Sequence, residues 1–302
     1  MPDPTPKSPL VSIIIPTYNR ANCISRCINS VIKQTLTNWE IVIIDNNSTD
    51  STLEIINGFS DERISTIKID NNGIVAASRN LGIRLSKGEY VAFLDSDDWW
   101  LPEKLEISLS ELESGSDLIY HDMYNISKLP VDAKEHLTVA TRALSRPVFI
   151  DLLTNGNAVI NSSVVVRRSF LEEIRGFSEE KELIGAEDFD GWIRISKLTD
   201  KFNRLEPILG YYWSGGGNVT SAKTRLTNTL FLRHKYKLEL NNIFGNKLPG
   251  WILYSLARAS VALGKHSDAR KYASLSVKSE LPKYIKVKAV IVWLMSLIKY
   301  KG

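Results

Sequence analysis

The sequence predicts an α/β fold, a mostly parallel sheet with flanking helices, followed by an all-helical appendage. Three observations carry this. Short apolar, β-branched-rich runs recur through residues 10–95, separated by stretches of helical periodicity. Those runs lack strict apolar/polar alternation, as expected of strands buried on both faces of a parallel sheet. From about residue 225 the strand-like runs stop and the pattern becomes wholly helical.

The elements follow in order. "LVSIIIP", "WEIVIID", "RISTIKI" and "EYVAFLD" are the expected strands, with helices over 21–34, roughly 50–58 and 74–87 between them. Such a βαβ series implies right-handed crossovers. A helix with Pro102 in its first turn is expected from Leu101 to about Ser114, and "DLIYHDMYNI" reads as one strand. "AVINSSVVVRR" reads as a strand entering a short helix, and "GAEDFDGWIRISKL" as a loop feeding a helix. "WILYSLARASVALGKHSDARKYASLSVK" has the small residues and glycine turn of one TPR-like hairpin, and a single copy points to a small appendage rather than an array. The expected organisation is a tail over 1–9, a domain over 10–220 with halves 10–98 and 99–220, and a helical region over 221–302.

Composition narrows the function classes. At 302 residues, 43% hydrophobic and 24% charged, the chain can bury a core and is neither disordered nor fibrous. Its start, "MPDPTPKSPL", has no apolar core segment of the kind a secretory signal needs, so a cytoplasmic protein is expected. Cys23 and Cys27 lie four apart on a predicted helix with no further cysteine to complete a metal site, which favours packing. The longest apolar run, "AVIVWLMSLI", is about half the roughly 18 residues a membrane span requires. Any membrane association is therefore expected to be peripheral. Charge is uneven: residues 221–302 hold 16 Lys and Arg against 3 Asp and Glu, whereas residues 1–220 hold 22 against 31.

In open α/β sheets ligands gather at the carboxyl ends of the strands, which marks "PTYNR", "DNNSTD" and "DSDDWW". The last of these crowds Asp95, Asp97 and Asp98 together. One reading is a helix N-cap, which accounts for Asp98 alone. A second is a general acid/base pair, but residues two apart in a turn rarely flank a substrate bond. The third is a divalent cation such as Mg²⁺ or Mn²⁺, which joins one or two carboxylates to substrate phosphates and removes their mutual repulsion. The residues favour the cation and leave the cap open.

Four ordered blocks, "VSIIIPTYNR", "IVIIDNNSTDST", "NNGIVAASRNLGIRLSKGEYVAFLDSDDWWLPEKLE" and "GFSEEKELIGAEDFDGWIRI", together resemble the family 2 inverting glycosyltransferases with the GT-A fold. The resemblance covers roughly residues 9–213. It implies a nucleotide-sugar-binding half over 10–98 and an acceptor and catalytic-base half over 99–220. It also implies roles for matching positions: Tyr18 against the nucleotide base, Asp45 and Asn46 at the uracil edge, Arg79 on the diphosphate. Asp97 would bind Mn²⁺ or Mg²⁺, with Asp95 orienting the ribose or a metal-bound water. Asp188, with Glu187 second, would be the base that deprotonates the acceptor hydroxyl.

Two departures stand out. The family usually has two consecutive aspartates where this chain has Asp45-Asn46, and many relatives carry a Y-R-x-H segment where it reads "GYYWSGGGNVT". The glycine run is expected to be a loop ordered by donor binding.

Trp99 and Trp100 are expected to flank the reaction centre, one forming an acceptor platform for a sugar ring. The basic tail is either a solvated helical face or a contact with anionic lipid; nucleic acid is not expected, since no binding module is present. The implied function is hexose transfer from a UDP-sugar to a polyprenyl-diphosphate-linked glycan at the cytoplasmic face of the inner membrane, as in O-antigen or capsule assembly. UDP-glucose, joined β-1,3 to GlcNAc-diphospho-undecaprenol, is the specific expectation. UDP-galactose or a UDP-N-acetylhexosamine on another acceptor is the alternative within the fold. A metal-dependent nucleotidyltransferase or an inactive glycan-binding module would be a different class; the former should carry a glycine-rich phosphate loop after its first strand, which "PTYNR" is not.

Overall fold

The computed structural model describes residues 9–129, 137–216, 221–279 and 283–297. Residues 1–8 of the predicted tail, Gly217 of the glycine run and Tyr300 of the apolar end lie outside them. The chain divides into two compact units: Met1–Leu144, Val159–Glu179 and Arg194–Gly217 form one, and Ser145–Ala158, Glu180–Ile193 and Asn218–Gly302 form the other.

The first unit opens as predicted. Strands β1 (Val11–Thr17), β2 (Trp39–Asp45), β3 (Ile64–Lys68) and β4 (Tyr90–Phe93) alternate with α1 (Ile24–Ile32), α2 (Thr52–Asn57) and α3 (Val75–Leu85). Then come β5 (Trp99–Trp100), α4 (Lys104–Glu113), β6 (Leu118–His121), β7 (Met123–Ile126) and β8 (Leu137–Val139). After α5 (Val148–Asn155) of the second unit, β9 (Val165–Arg167) and α6 (Arg168–Glu173) return to the first. The unit boundary at Ile193 falls inside α7 (Glu187–Ile195), and β10 (Phe202–Leu205) and β11 (Gly210–Trp213) complete the strands.

The main sheet has the order β10-β6-β9-β4-β1-β2-β3. Its pairings are parallel except for β9, which runs antiparallel to both β4 and β6. Every residue of β1 is buried, the environment that its unbroken isoleucine run anticipates. The core cluster joins Ile13, Ile15, Ile41, Ile43 and Ala92 on the strands to Ile24, Ile28, Leu105 and Leu109 on the helices. Gly82 sets the approach of α3, because a Cβ there would sit 2.5 Å from Ile14 Cγ2. One turn earlier on the same face is Arg79, which that close packing carries toward the sheet.

A second sheet has the order β5-β11-β7-β8, and here the expected single strand over 117–126 is corrected to two strands in two sheets. The break is Asp122, whose carboxylate accepts from Thr141 and from Arg204 Nη2 at 2.8 Å and so holds the chain where it changes sheet.

In the second unit, α8 (Ala222–Lys235), α9 (Lys237–Phe244), α10 (Gly250–Ala262), α11 (His266–Lys278) and α12 (Lys283–Met295) bear out the helical expectation. The α10–α11 hairpin turns at Gly264, whose φ of +70° suits glycine. Residues 145–158 and 180–193 cluster with these helices rather than with the rest of 99–220, so the expected boundary at 220 is crossed twice. Side chains explain the grouping: Trp251 Nε1 donates to Leu153 O at 2.8 Å, the Phe189 and Trp251 rings meet edge to face at 5.5 Å, and buried Asp190 pairs with Lys235 at 2.6 Å and accepts from the Tyr236 hydroxyl at 2.8 Å.

Candidate active site

The carboxyl ends of β1 and β2 form one hydrogen-bonded corner. Asn19 and Asn47 turn the chain there with φ of 51° and 53°, a left-handed conformation that asparagine tolerates better than most residues. Asp45 is fully buried and both its carboxylate oxygens accept from Ser48, whose hydroxyl oxygen accepts from Asn19 N at 2.9 Å. Asn19 Oδ1 in turn accepts from Thr49 N at 2.8 Å. The corner therefore holds its shape through its own polar groups. Tyr18 projects from it, 52% exposed, and Asn46 accepts from Asn71 N at 2.9 Å through Oδ1, which leaves its NH₂ group for another partner.

At the end of β4, Arg79 is buried and donates to Asp95 Oδ1 at 2.7 Å. Among the described residues this is an internal ion pair rather than the helix-surface one its position on α3 would allow. The backbone N–H of Asp95 is fixed by Ser162 Oγ at 3.1 Å, and Asn161 Nδ2 lies 3.4 Å from Oδ1. Asp97 stays partly exposed. Burial, and next the charge of Asp95, raise its carboxyl above the ordinary range, while Arg20 at 3.7 Å opposes the shift.

Two neighbouring carboxylates that remain partly open to solvent fit a hard divalent cation that takes its other oxygens from a ligand. Asp95 and Asp97 are the residues that would hold one. Among the described residues no group of three or more acidic, histidine or cysteine side chains is assembled, so the protein offers two carboxylates and no closed cage. Cys23 and Cys27 are buried, and burial pushes the Cys23 thiol up to about 11, which suits packing.

Arg20 and Arg26 were legible only in part. "PTYNR" marked a ligand-facing turn, yet nothing in the string says that Arg20 reaches Asp97 or that Arg26 Nη2 donates to Asp97 O at 2.9 Å, since the partners lie about 70 residues away.

Two expectations are corrected here. Asp98 does not cap the next helix: α4 begins six residues later at Lys104, and buried Asp98 instead accepts from Trp213 N at 2.8 Å, holding β11 beside β5. Trp99 and Trp100 are not an acceptor platform. Tyr211 stacks on Trp99 at 4.9 Å and the Arg26 guanidinium lies over it at 3.9 Å, leaving 8% exposed. Trp100 is 3% exposed, donates from Nε1 to Ser162 O at 2.7 Å and has Lys104 Nζ over its ring at 3.9 Å. Indoles so enclosed have no face for a sugar.

Glu187 and Asp188 belong to the second unit and divide their work. Glu187 is buried and its Oε2 accepts from Gly185 N at 2.6 Å, which fixes the glycine loop. Asp188 is half-buried and accepts from Phe189 N at 2.7 Å through Oδ1. It lines a cavity of about 330 Å³ together with Phe189, Arg225, Asn228, Trp251 and Tyr254. Of the two carboxylates, Asp188 is the one that lines this cavity.

Comparison with known proteins matches residues 12–175 to the model of glycosyl transferase family 2. The chain is 32% identical over 217 residues to the Escherichia coli UDP-Glc:alpha-D-GlcNAc-diphosphoundecaprenol beta-1,3-glucosyltransferase WfaP, covering 71% of this chain and 81% of that one. It is 39% identical over 117 residues to WfgD of the same organism, described by the same activity, covering 39% of this chain and 46% of that one. Among solved structures, S. aureus TarS 1–349 in complex with UDP aligns with a TM-score of 0.55 at 21% identity, covering 94% of this chain and 88% of that one. The mannosyltransferase PcManGT of Pyrobaculum calidifontis, in complex with GDP-Man and Mn²⁺, aligns with a TM-score of 0.56 at 18% identity, covering 99% and 88%. These two structural likenesses bear on the fold.

Proposed function

The chain belongs to glycosyl transferase family 2, and from that membership we propose that it moves glucose from UDP-glucose to GlcNAc-diphospho-undecaprenol, forming a β-1,3 linkage in surface-polysaccharide assembly. The observation that carries the reading is the strand-end pair Asp95 and Asp97, a two-carboxylate set suited to a cation shared with a diphosphate. The sugar and acceptor come from the likeness to WfaP and WfgD.

Tyr18 supports the nucleotide base, and Asn46, beside the Asp45 corner, meets the uracil edge through its free NH₂. Arg79 holds Asp95 toward the ribose, and Asp97 and Asp95 are the residues that would hold Mn²⁺ or Mg²⁺. When bound, that ion supplies Lewis-acid stabilisation of the negative charge on the departing UDP. Asp188 takes the proton of the acceptor hydroxyl as its oxygen bonds to the anomeric carbon, and the bond from that carbon to the β-phosphate oxygen breaks with its electron pair leaving on UDP. A single displacement inverts the α-linked donor to a β-glycoside.

The lipid acceptor places the enzyme at the cytoplasmic face of the inner membrane in this reading. Supporting it, α12 exposes Val287, Val290, Ile291, Trp293 and Leu294 beside Lys286 and Lys288, an amphipathic surface suited to anionic lipid. Among the described residues no helix is long and apolar enough to cross a membrane.

The test is a donor screen with the purified protein, synthetic GlcNAc-α-diphospho-undecyl acceptor and Mn²⁺, with products read by mass and linkage. A β-1,3 glucoside from UDP-glucose is expected; transfer only from another nucleotide sugar would overturn the donor assignment, and full activity in EDTA the ion.

A further inference from the structure

We propose that the cavity lined by Asp188 is the acceptor subsite, and that Arg225, seconded by Arg258, binds the diphosphate joining the acceptor sugar to its lipid. The inference rests on the glycosyltransferase reading above and adds a site whose charged residues, Asp188, Arg225 and Arg258, lie outside the family-matched residues 12–175.

Charge is the first argument. Arg225 lines the cavity, and Arg258 lies on α10 with its guanidinium 5.7 Å from the ring of Tyr254, another lining residue. Neither arginine makes an ion pair with a described residue, and Asp188 is the only acid in the cavity wall. Burial, and then the positive charge of Arg258, make the Arg225 guanidinium harder to keep charged. Two like charges brought together without a counter-ion suit an incoming anion, and two planar guanidinium forks suit the paired oxygens of a diphosphate.

The remaining walls suit a sugar. Trp251 is immobilised, its Nε1 donating to Leu153 O at 2.8 Å and its ring packed so tightly that a Cβ on Gly156, at φ +80°, would lie 3.0 Å from it. Phe189 meets it edge-on at 5.5 Å. A fixed indole is a flat wall for the apolar face of a pyranose. Asn228 is 5% exposed, with Nδ2 donating to Ile184 O at 3.0 Å and Oδ1 lacking a donor among the described residues. The volume of about 330 Å³ is at the small end of ligand pockets, room for a sugar and its phosphates while the lipid lies outside.

The experiment is calorimetric titration of the full chain, loaded with saturating UDP and Mg²⁺ so that the donor side is filled. GlcNAc-α-diphospho-undecyl is compared with GlcNAc-α-O-undecyl, which lacks the phosphates. The diphosphate compound is expected to bind about tenfold tighter or more, as charge-assisted hydrogen bonds permit. Arg225→Gln should abolish that preference, Arg225→Lys should keep part of it, and Arg258→Gln, at an exposed position, should reduce it. Equal binding of the two compounds by the wild type, or an undiminished preference in both glutamine variants, overturns the subsite. Discriminating binding without glucose transfer would sink the proposed reaction and leave the subsite standing; glucose transfer with no preference between the two acceptors would do the reverse.

Discussion

The two units handle charge in opposite ways. In the first, four arginines are paired where they stand: Arg79 with Asp95, Arg63 with Asp61, Arg204 with Asp122, and Arg167 with Glu89 and Asp117. The second unit spends Asp190 on the buried pair with Lys235 and leaves Arg225 and Arg258 with no described counter-ion. Paired charge fixes geometry, as at Asp95, whereas surplus charge awaits a partner. On the proposed reading, the donor side is thus organised before substrate arrives, and the basic side awaits an anionic acceptor or lipid surface.

Removing the chemistry from each side is the largest perturbation. Asp188→Asn is expected to lower kcat by about 10²–10⁴-fold with donor KM unchanged, the span of a lost general base. Retention of full transfer would return the role to Glu187, although Glu187 is committed to Gly185. Asp97→Asn should cost about 10²–10³-fold and raise the Mn²⁺ concentration needed for half-maximal rate, since one of the two carboxylates proposed to hold the ion is gone. An unchanged Mn²⁺ dependence would remove Asp97 from the ion.

What the sequence disclosed depended on how far apart the partners were. Strand and helix order through residue 95 was legible because burial on both faces leaves its mark locally, in the isoleucine runs of β1 and β2. The carboxylates of "DSDD" were equally visible as a place. Their roles were not, because Asp98 is claimed by Trp213, 115 residues on, and Trp99 by Tyr211 and Arg26. The unit boundary was hidden for the same reason: Asp190 and Leu153 belong to the helical unit through contacts with Lys235 and Trp251 that no local pattern announces.

A smaller effect tests burial in the first unit. His121 is fully buried, and burial, then the charge of Lys104, lowers its pKa from 6.5 to about 3. Between those values the unfolded chain binds a proton that the native chain refuses, so stability falls as pH drops from 6.5 toward 3, by up to about 1.4 kcal/mol per pH unit. Urea midpoints measured across that range should fall with acid in the wild type and flatten in His121→Asn, which keeps a donor in place of Nδ1. Parallel curves for the two proteins would mean that His121 is solvated.

The smallest expected effect bears on whether the acceptor belongs to the surplus-charge side alone. Trp99 is enclosed by Tyr211 and Arg26, so Trp99→Leu should act on the fold of the first unit, costing about 1–3 kcal/mol in lost stacking, cation–π contact and buried area. Acceptor KM should stay within about twofold of wild type, because an indole with both its neighbours in place makes no contact for a sugar to lose. Trp251→Leu should instead raise acceptor KM, since its fixed ring forms the wall of the Asp188 cavity. If the two substitutions exchanged these behaviours, Trp99 would have to leave its stack when acceptor binds, and the first unit would no longer be the preformed side of the enzyme.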